Sequence, residues 1–474
     1  MTSHNLIVLS DIHLGSDLIQ HARPDAPPRG RAASRRDREL VALLDWYRCR
    51  REGRRPWRIV FAGDLVDFVG MAVTPITCEL QTEPTEEERE YGLGSATDHT
   101  IAKLRCVAEH HRDVFLAMAR FVAAGNTMVI VRGNHDVEFH WEAVQATFRE
   151  ILLEFGAQAP ERIEFSDWFY YEEGVVYIEH GHQYDDYCAY EHVLFPVLPS
   201  DPRRTDRSIA DVLLRRVVRP TRGMKESGHE HASALDYVRF AMKLGLGGLV
   251  GLGRRFVVAI GALLVLWRHG MKSTSAWVKK EHERKMSLLA EARNISVLKL
   301  RALASLHKPP VTRSLIRVLA GVMLDRVVFS LLMLAGLVWL LVARWTPLLG
   351  VAVGACVLSA ATGAWLFYRA RGSIDPSEAL RERAARVCTL LPTAFVVMGH
   401  THSPEIRKTS SGTEYVNVGA WAEEDDEDNP SAKPSTRTHL VLTEVDGRTV
   451  ASLLAWDSES GPRRFTPSSE TDAA

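Results

Sequence analysis

The chain is 474 residues long, 46% hydrophobic and 25% charged, enough for two or three domains and a large buried core. Lysine plus arginine number 58 against 59 for aspartate plus glutamate, a formal net charge of -1, so no overall basic character marks a nucleic-acid binder. The six cysteines (Cys49, Cys78, Cys106, Cys188, Cys356 and Cys388) include no C-x-x-C pair, which speaks against a disulfide framework or a thiolate zinc site and fits a reducing cytosol.

In chain order, Met1-Thr2-Ser3-His4-Asn5 runs straight into an apolar segment, without the basic start, long apolar stretch and cleavage site of a signal peptide. Leu6-Ile7-Val8-Leu9 predicts a buried strand that delivers Ser10-Asp11-Ile12-His13 at its end. Residues at i and i+2 of an extended segment share a side, so Asp11 and His13 can reach one metal ion. Residues 20–38 read as a solvated loop, and 39–51 have helical spacing with a basic face. A second strand, Trp57 to Phe61, ends in Ala62-Gly63-Asp64-Leu65-Val66-Asp67. Residues 68–98, with the acidic run Glu86-Glu87-Glu88, read as a surface excursion, and 100–124 as a helix.

The apolar run Met128-Val129-Ile130-Val131 leads into Arg132-Gly133-Asn134-His135-Asp136. On their own these five residues read as a polar turn after a strand. Two more runs of the same kind follow: Val175 to Ile178 before Glu179-His180-Gly181-His182-Gln183-Tyr184-Asp185, and Ala394 to Met398 before Gly399-His400-Thr401-His402. Oxygen and imidazole donors at five strand ends predict a dinuclear metal centre, and alternating strands and helices predict an α/β protein.

The ordered set Asp11-x-His13, Gly63-Asp64-x-x-Asp67, Gly133-Asn134-His135-Asp136, His180-Gly181 and Gly399-His400-x-His402 resembles the calcineurin-like metallophosphoesterases. The resemblance covers roughly residues 5–185 and 388–456. It implies a four-layer fold, two mixed β-sheets face to face with helices outside. It also implies one metal on Asp11, His13, Asp64 and His402 and another on Asp64, Asn134, His180 and His400, with Asp64 bridging. His135 would contact the phosphoryl oxygen and protonate the leaving group, with Asp136 orienting its ring. Such donors suit two divalent ions, Mn²⁺, Fe or Zn²⁺. His182 and Asp185 are open between substrate contact and support of the ligands.

The expected organisation is a first core part (1–190), a helical insert (191–387), a last core part (388–460) and a disordered tail (461–474). Within the insert, 327–343 and 348–368 are apolar enough for a transmembrane hairpin. Residues 245–267 contain Arg254-Arg255, each costing about 2.5–3.5 kcal/mol at a bilayer centre, and read as interfacial. The ligands flanking the insert must meet, so the number of crossings is even. Arg313, Arg317, Arg326, Arg369, Arg371, Arg381 and Arg383 flank the hairpin against Arg344 in its turn, which places the catalytic halves on the cytoplasmic side of the inner membrane. The arginines at 203, 204, 207, 215, 216, 219 and 222, with Lys225, are open between anionic-lipid or phosphate binding and a solvated helix face. A helix capped at 273–275 and reaching 306 reads as an arm toward the membrane, and 423–428 as an acidic loop.

The reading is a membrane-associated phosphoester or diphosphate hydrolase acting on a lipid-linked phosphate. It is similar to the UDP-2,3-diacylglucosamine diphosphatases, from which the larger insert sets it apart. The alternatives are a membrane-anchored phosphodiesterase or phosphatase for a soluble nucleotide or phosphoprotein, and a non-catalytic membrane sensor or scaffold.

Overall fold

Strands this uniformly apolar need cover on both faces, and two stacked sheets provide it. The computed structural model describes residues 4–18, 34–74, 80–221, 224, 234–270, 275–321, 333–336, 338–339, 342, 347–370, 376–409, 412–422 and 436–466. Much of the expected loop 20–38, Arg222, Lys225, Ser273, Thr274, Arg326, most of the first hairpin arm (327–343), Arg344, Arg371 and the acidic run 423–428 lie outside the described residues.

The first sheet runs through β1 (Asn5–Leu9), β2 (Trp57–Ala62), β3 (Thr127–Val131) and β4 (Ile163–Ser166), all parallel. The second is built from β5 (Phe169–Glu172), β6 (Val176–Glu179), β7 (Phe395–Met398), β8 (Glu405–Lys408) and β9 (Glu414–Asn417) in the order β5-β6-β7-β9-β8. β10 (Thr438–Val445), β11 (Arg448–Asp457) and β12 (Gly461–Arg464) then add antiparallel to β1 and complete the first sheet. Both sheets are mixed, as the family resemblance implies.

Alternation along each strand separates the layers. Leu6, Val8, Val60, Ala62, Val129 and Val131 meet Tyr170, Val176, Ile178, Val397 and Val416 between the sheets. Ile7, Leu9, Ile59, Phe61 and Ile130 point the other way, under α1 (Arg35–Cys49), α3 (Thr97–His110), α4 (Arg112–Ala123) and α5 (Glu142–Glu154), with the short α2 (Glu86–Tyr91) ahead of α3.

The outer face of the second sheet corrects the expectation of a membrane arm. α8 (Ser275–Ala292) and α9 (Val297–Ala304) lay Met286, Ala290, Leu300 and Leu303 on Tyr177, Val396 and Met398, beside Leu380, Ala384 and Val387 of the helix Ser377–Leu390. The segment therefore supplies the fourth layer. A second correction concerns the tail. Asp457 accepts the backbone N–H groups of Glu459 and Ser460 at 3.1 and 2.8 Å, and this turn sends Gly461–Arg464 back as a strand on β11.

Between the layers and the rest of the insert stands a small helical platform. Ile209 and Val212 of α6 (Ile209–Leu213), Val217, Val311, and Val318 of α10 (Leu315–Gly321) pack with Ala259 and Leu263 of α7 (Ala234–Gly270). α7 kinks at Gly245, and within it Gly247–Arg268 is long and apolar enough to cross a membrane by length and composition. The expected second hairpin arm is the helix Pro347–Ala370, whose apolar core Val353–Gly363 is shorter.

Candidate metal centre

The loops after β1, β2, β3, β6 and β7 converge at one edge of the sandwich, where open α/β sheets carry their sites. They meet through the backbone before the side chains. Ile12 and His13 donate N–H bonds to the Asp64 carbonyl at 2.9 Å, Asp67 donates to Leu14, and Phe68 donates to the His135 carbonyl. The bends are sharp: Asp11, His13, Asp64, His400 and His402 all have φ between 51° and 69°. A left-handed non-glycine residue costs about 1–3 kcal/mol, so five of the expected ligands sit on strained backbone that the surrounding bonds enforce. Two glycines allow the approach. A Cβ on Gly63 would lie 2.4 Å from the His180 ring, and one on Gly133 would lie 2.1 Å from Asp64 Oδ1.

The side chains then crowd. Asp11 Oδ1 lies 3.2 Å from His402 Nε2 and 3.9 Å from both His13 Nε2 and His180 Nε2. Asp64 Oδ2 is 3.1 Å from His180 Nε2 and 3.7 Å from His13 Nε2. Asn134 Oδ1 is 3.0 Å from His180 Nε2. Two overlapping triads result, Asp11-His13-His402 and Asp11-Asp64-His180, each with donor atoms within 4.8 Å of one another. Among the described residues, Asp11 Oδ1 and His13 Nε2 are buried without a well-formed hydrogen bond. A buried carboxylate oxygen and imidazole nitrogen left this way are costly, and divalent cations among these oxygen and nitrogen donors fit them. Residues 4–233 match the family model for the calcineurin-like phosphoesterases. The chain carries a calcineurin-like phosphoesterase domain. It is thereby a metal-dependent hydrolase of phosphoric esters. No curated protein matches the chain.

The match to the phosphoesterase family stops before residue 400, yet the structure carries His400 and His402 in from β7, beside β6. His400 sits with its ring 5.1 Å from that of His180, and its Nε2 is 3.1 Å from Asp185 Oδ2. Asp185 thus holds a histidine ring, as a carboxylate behind a metal-binding imidazole does. His182 is buried behind His180, ring to ring at 5.4 Å, against Gln183. Burial would raise the carboxyl of Asp64, but the imidazoles of His180 and His135 hold it well below the usual carboxylate range.

The phosphoesterase's expected pairing of Asp136 with His135 is corrected by the structure. Asp136 Oδ1 accepts the Gly133 N–H at 2.6 Å and Oδ2 the Leu65 N–H at 2.9 Å, closing the turn away from its neighbour. Consecutive residues on a tight turn diverge, and the carboxylate is spent on backbone donors. The partner of the His135 ring is Asp67, whose Oδ1 lies 2.9 Å from Nδ1. Asp67 was visible as the second acid of Gly63-Asp64-x-x-Asp67, but nothing local ties it to a residue 68 positions later. Tyr190, whose hydroxyl lies 3.2 Å from the Asn134 carbonyl, has no motif at all, and Arg219, 2.7 Å from Asp67 Oδ2, stands in the sequence only as one member of the basic run 203–225.

Proposed function

We propose that this phosphoesterase cleaves a lipid-linked phosphate or diphosphate at the cytoplasmic face of the inner membrane, using two divalent ions. Asp11, His13, Asp64 and His402 would hold one ion, and Asp64, Asn134, His180 and His400 the other. Such a pair, when bound, makes hydroxide available near neutral pH and offsets the charge of the phosphoryl oxygens. The chain's own residues do the rest. Asp64 stands between the two donor groups. His135, oriented by Asp67, donates the proton that the departing oxygen takes up as its bond to phosphorus breaks. Asp185 keeps the His400 ring turned to its place.

The observation that carries the hydrolytic reading is the buried pair Asp11 Oδ1 and His13 Nε2, without a well-formed hydrogen bond, inside the cluster. The lipid reading rests on α7. Ala259 and Leu263 face the platform, while Val250, Val257 and Val265 are 74%, 69% and 52% exposed. A helix with one apolar face on its own protein and another bare suits a membrane surface, and agrees with the interfacial reading of 245–267.

The test is phosphate or nucleotide release by detergent-purified protein with Mn²⁺, comparing UDP-diacylglucosamine with a soluble phosphodiester. Preference for the lipid by about a hundredfold in kcat/KM, near 2.7 kcal/mol, is the expected result. Equal rates on the two would reduce the insert to an anchor and overturn the lipid assignment.

A further inference from the structure

After α6 the backbone widens into a π-helical turn, Leu214–Val218, and this turn aims Arg219 back at the metal-binding edge. Arg219 Nη2 donates to Asp67 Oδ2 at 2.7 Å, and Nη1 donates to the Ser16 carbonyl. The other oxygen, Asp67 Oδ1, is shared by the His135 ring at 2.9 Å and the Gly70 N–H at 3.0 Å. Asp67 is fully buried and the Arg219 side chain only 10% exposed. Room for the guanidinium exists because residue 70 is glycine: a Cβ there would lie 2.5 Å from Nη2 and 2.6 Å from Nε. The turn is held from behind, where Arg255 Nη1 of α7 donates to Thr221 Oγ1 at 3.1 Å.

We infer that Arg219 is a positioning residue for the hydrolysis, gripping one oxygen of Asp67 so that the other holds the His135 ring in its working orientation. This rests on reading His135 as the proton donor to the leaving group. A buried carboxylate with one oxygen stripped of its partner rotates toward whatever donor remains, and a ring held by it turns with it. Arg219 reaches Asp67 from outside the consecutive strand-end loops, so the helical part of the chain is structurally linked to the proton-donating group.

The experiment measures kcat and KM of the Mn²⁺-loaded full chain on two diesters, one with a p-nitrophenolate leaving group and one with an alkoxide. Bound manganese per chain and the thermal midpoint are recorded for each variant. An alkoxide needs a proton to depart and a nitrophenolate does not. Arg219→Met is expected to lower kcat on the alkyl diester by about 10- to 100-fold, to leave the nitrophenyl diester within about threefold, and to leave KM and manganese unchanged. Arg219→Lys is expected to recover most of the loss. Gly70→Ala displaces the guanidinium without removing it and is expected to reproduce the same split, which keeps the test decisive should the methionine variant fold poorly. Equal losses on both diesters with a raised KM would make Arg219 a substrate-phosphate contact and overturn the inference, as would no loss at all. His135→Ala separates the two readings: if its own loss is the same on both diesters, the proton-donor role of His135 fails rather than the placement of Arg219.

Discussion

Asp64 serves both halves of the centre, with Oδ2 at 3.1 Å from His180 and 3.7 Å from His13 while Oδ1 accepts the His135 N–H at 2.8 Å. Asparagine in its place keeps the shape and an acceptor but removes the charge. Asp64→Asn is expected to lower kcat/KM by about a thousandfold or more and to reduce manganese per chain measured by mass spectrometry, with an unchanged far-ultraviolet dichroism spectrum. A scaffold role would survive this substitution, so retained membrane binding with lost turnover separates the two. A histidine on the helix side of the first sheet, facing Tyr47 of α1, sets a pH dependence. His439 is buried in β10 with its Nε2 2.8 Å from the Tyr47 hydroxyl, and burial pushes its imidazole from 6.5 down to about 3. Between those values the unfolded chain binds a proton that the folded chain refuses. Stability therefore falls as pH drops from about 6.5 toward 3, by up to about 1.4 kcal/mol per pH unit from this one group. His439→Gln is expected to flatten the decline of the denaturation midpoint between pH 6.5 and 5; an unchanged slope would refute that role.

At the scale of elements, the charged runs of α2 and of the segment around α6 change meaning together. In the sequence, Glu86-Glu87-Glu88 reads as part of a surface excursion, and the arginines near 203–219 are open between lipid or phosphate binding and a solvated helix face. In the fold, Arg204 Nε and Nη2 grip Glu88 at 2.8 and 2.7 Å, and Glu87 takes Arg207 and Arg216 at 2.6 Å each. The pairs join α2 to the start of the helical platform, so they fasten the excursion 68–98 and the insert to each other. Arg204 is 5% exposed and Glu88 fully buried. Glu88→Gln leaves that guanidinium with only the partly exposed Asp201 as counter-charge and is expected to cost about 1–3 kcal/mol in a denaturant melt. A loss below about 1 kcal/mol would mark the pair as an ordinary surface contact. What was legible beforehand follows the range of the interaction. Strand ends are local, so the candidate donors after β1, β2, β3, β6 and β7 could be picked out from short stretches, although Asp11 and His13 sit on left-handed backbone rather than the extended segment expected. The Asp67–His135 pair, the Glu87 and Glu88 clasps, the use of α8 and α9 as the fourth layer and the closing strand β12 depend on residues brought together only by the tertiary fold. No spacing rule announces those.

For the whole molecule, the proposed contact of α7 with a membrane has to leave the metal-binding edge assembled. Expected ligands on both sides of the insert converge on one cluster, Asp11 from β1 and His402 from β7, and their atoms are 3.2 Å apart. A single crossing by α7 would have to part them. The packing offers another arrangement: Leu252, Phe256, Ile260 and Leu266 lie with Ala259 and Leu263 along the platform side, and Val250, Val257 and Val265 form the opposite row. Exposed Ile316 of α10 adds further bare apolar surface. An in-plane helix of this kind sinks its outer row into the headgroup boundary and leaves the platform face on protein. Arg254, exposed on the same helix, can reach anionic headgroups. A charge driven into the hydrocarbon costs up to about 2.5–3.5 kcal/mol. Val250→Asp with Val257→Asp is therefore expected to cut partitioning onto anionic vesicles by at least roughly tenfold in a flotation assay. Neither valine packs in the platform cluster, so turnover of a soluble phosphodiester should stay within about twofold of the parent. Loss of turnover on the lipid-linked substrate alone would tie vesicle binding to substrate delivery. Undiminished flotation would remove α7 from the membrane and leave its bare row to be covered by something else.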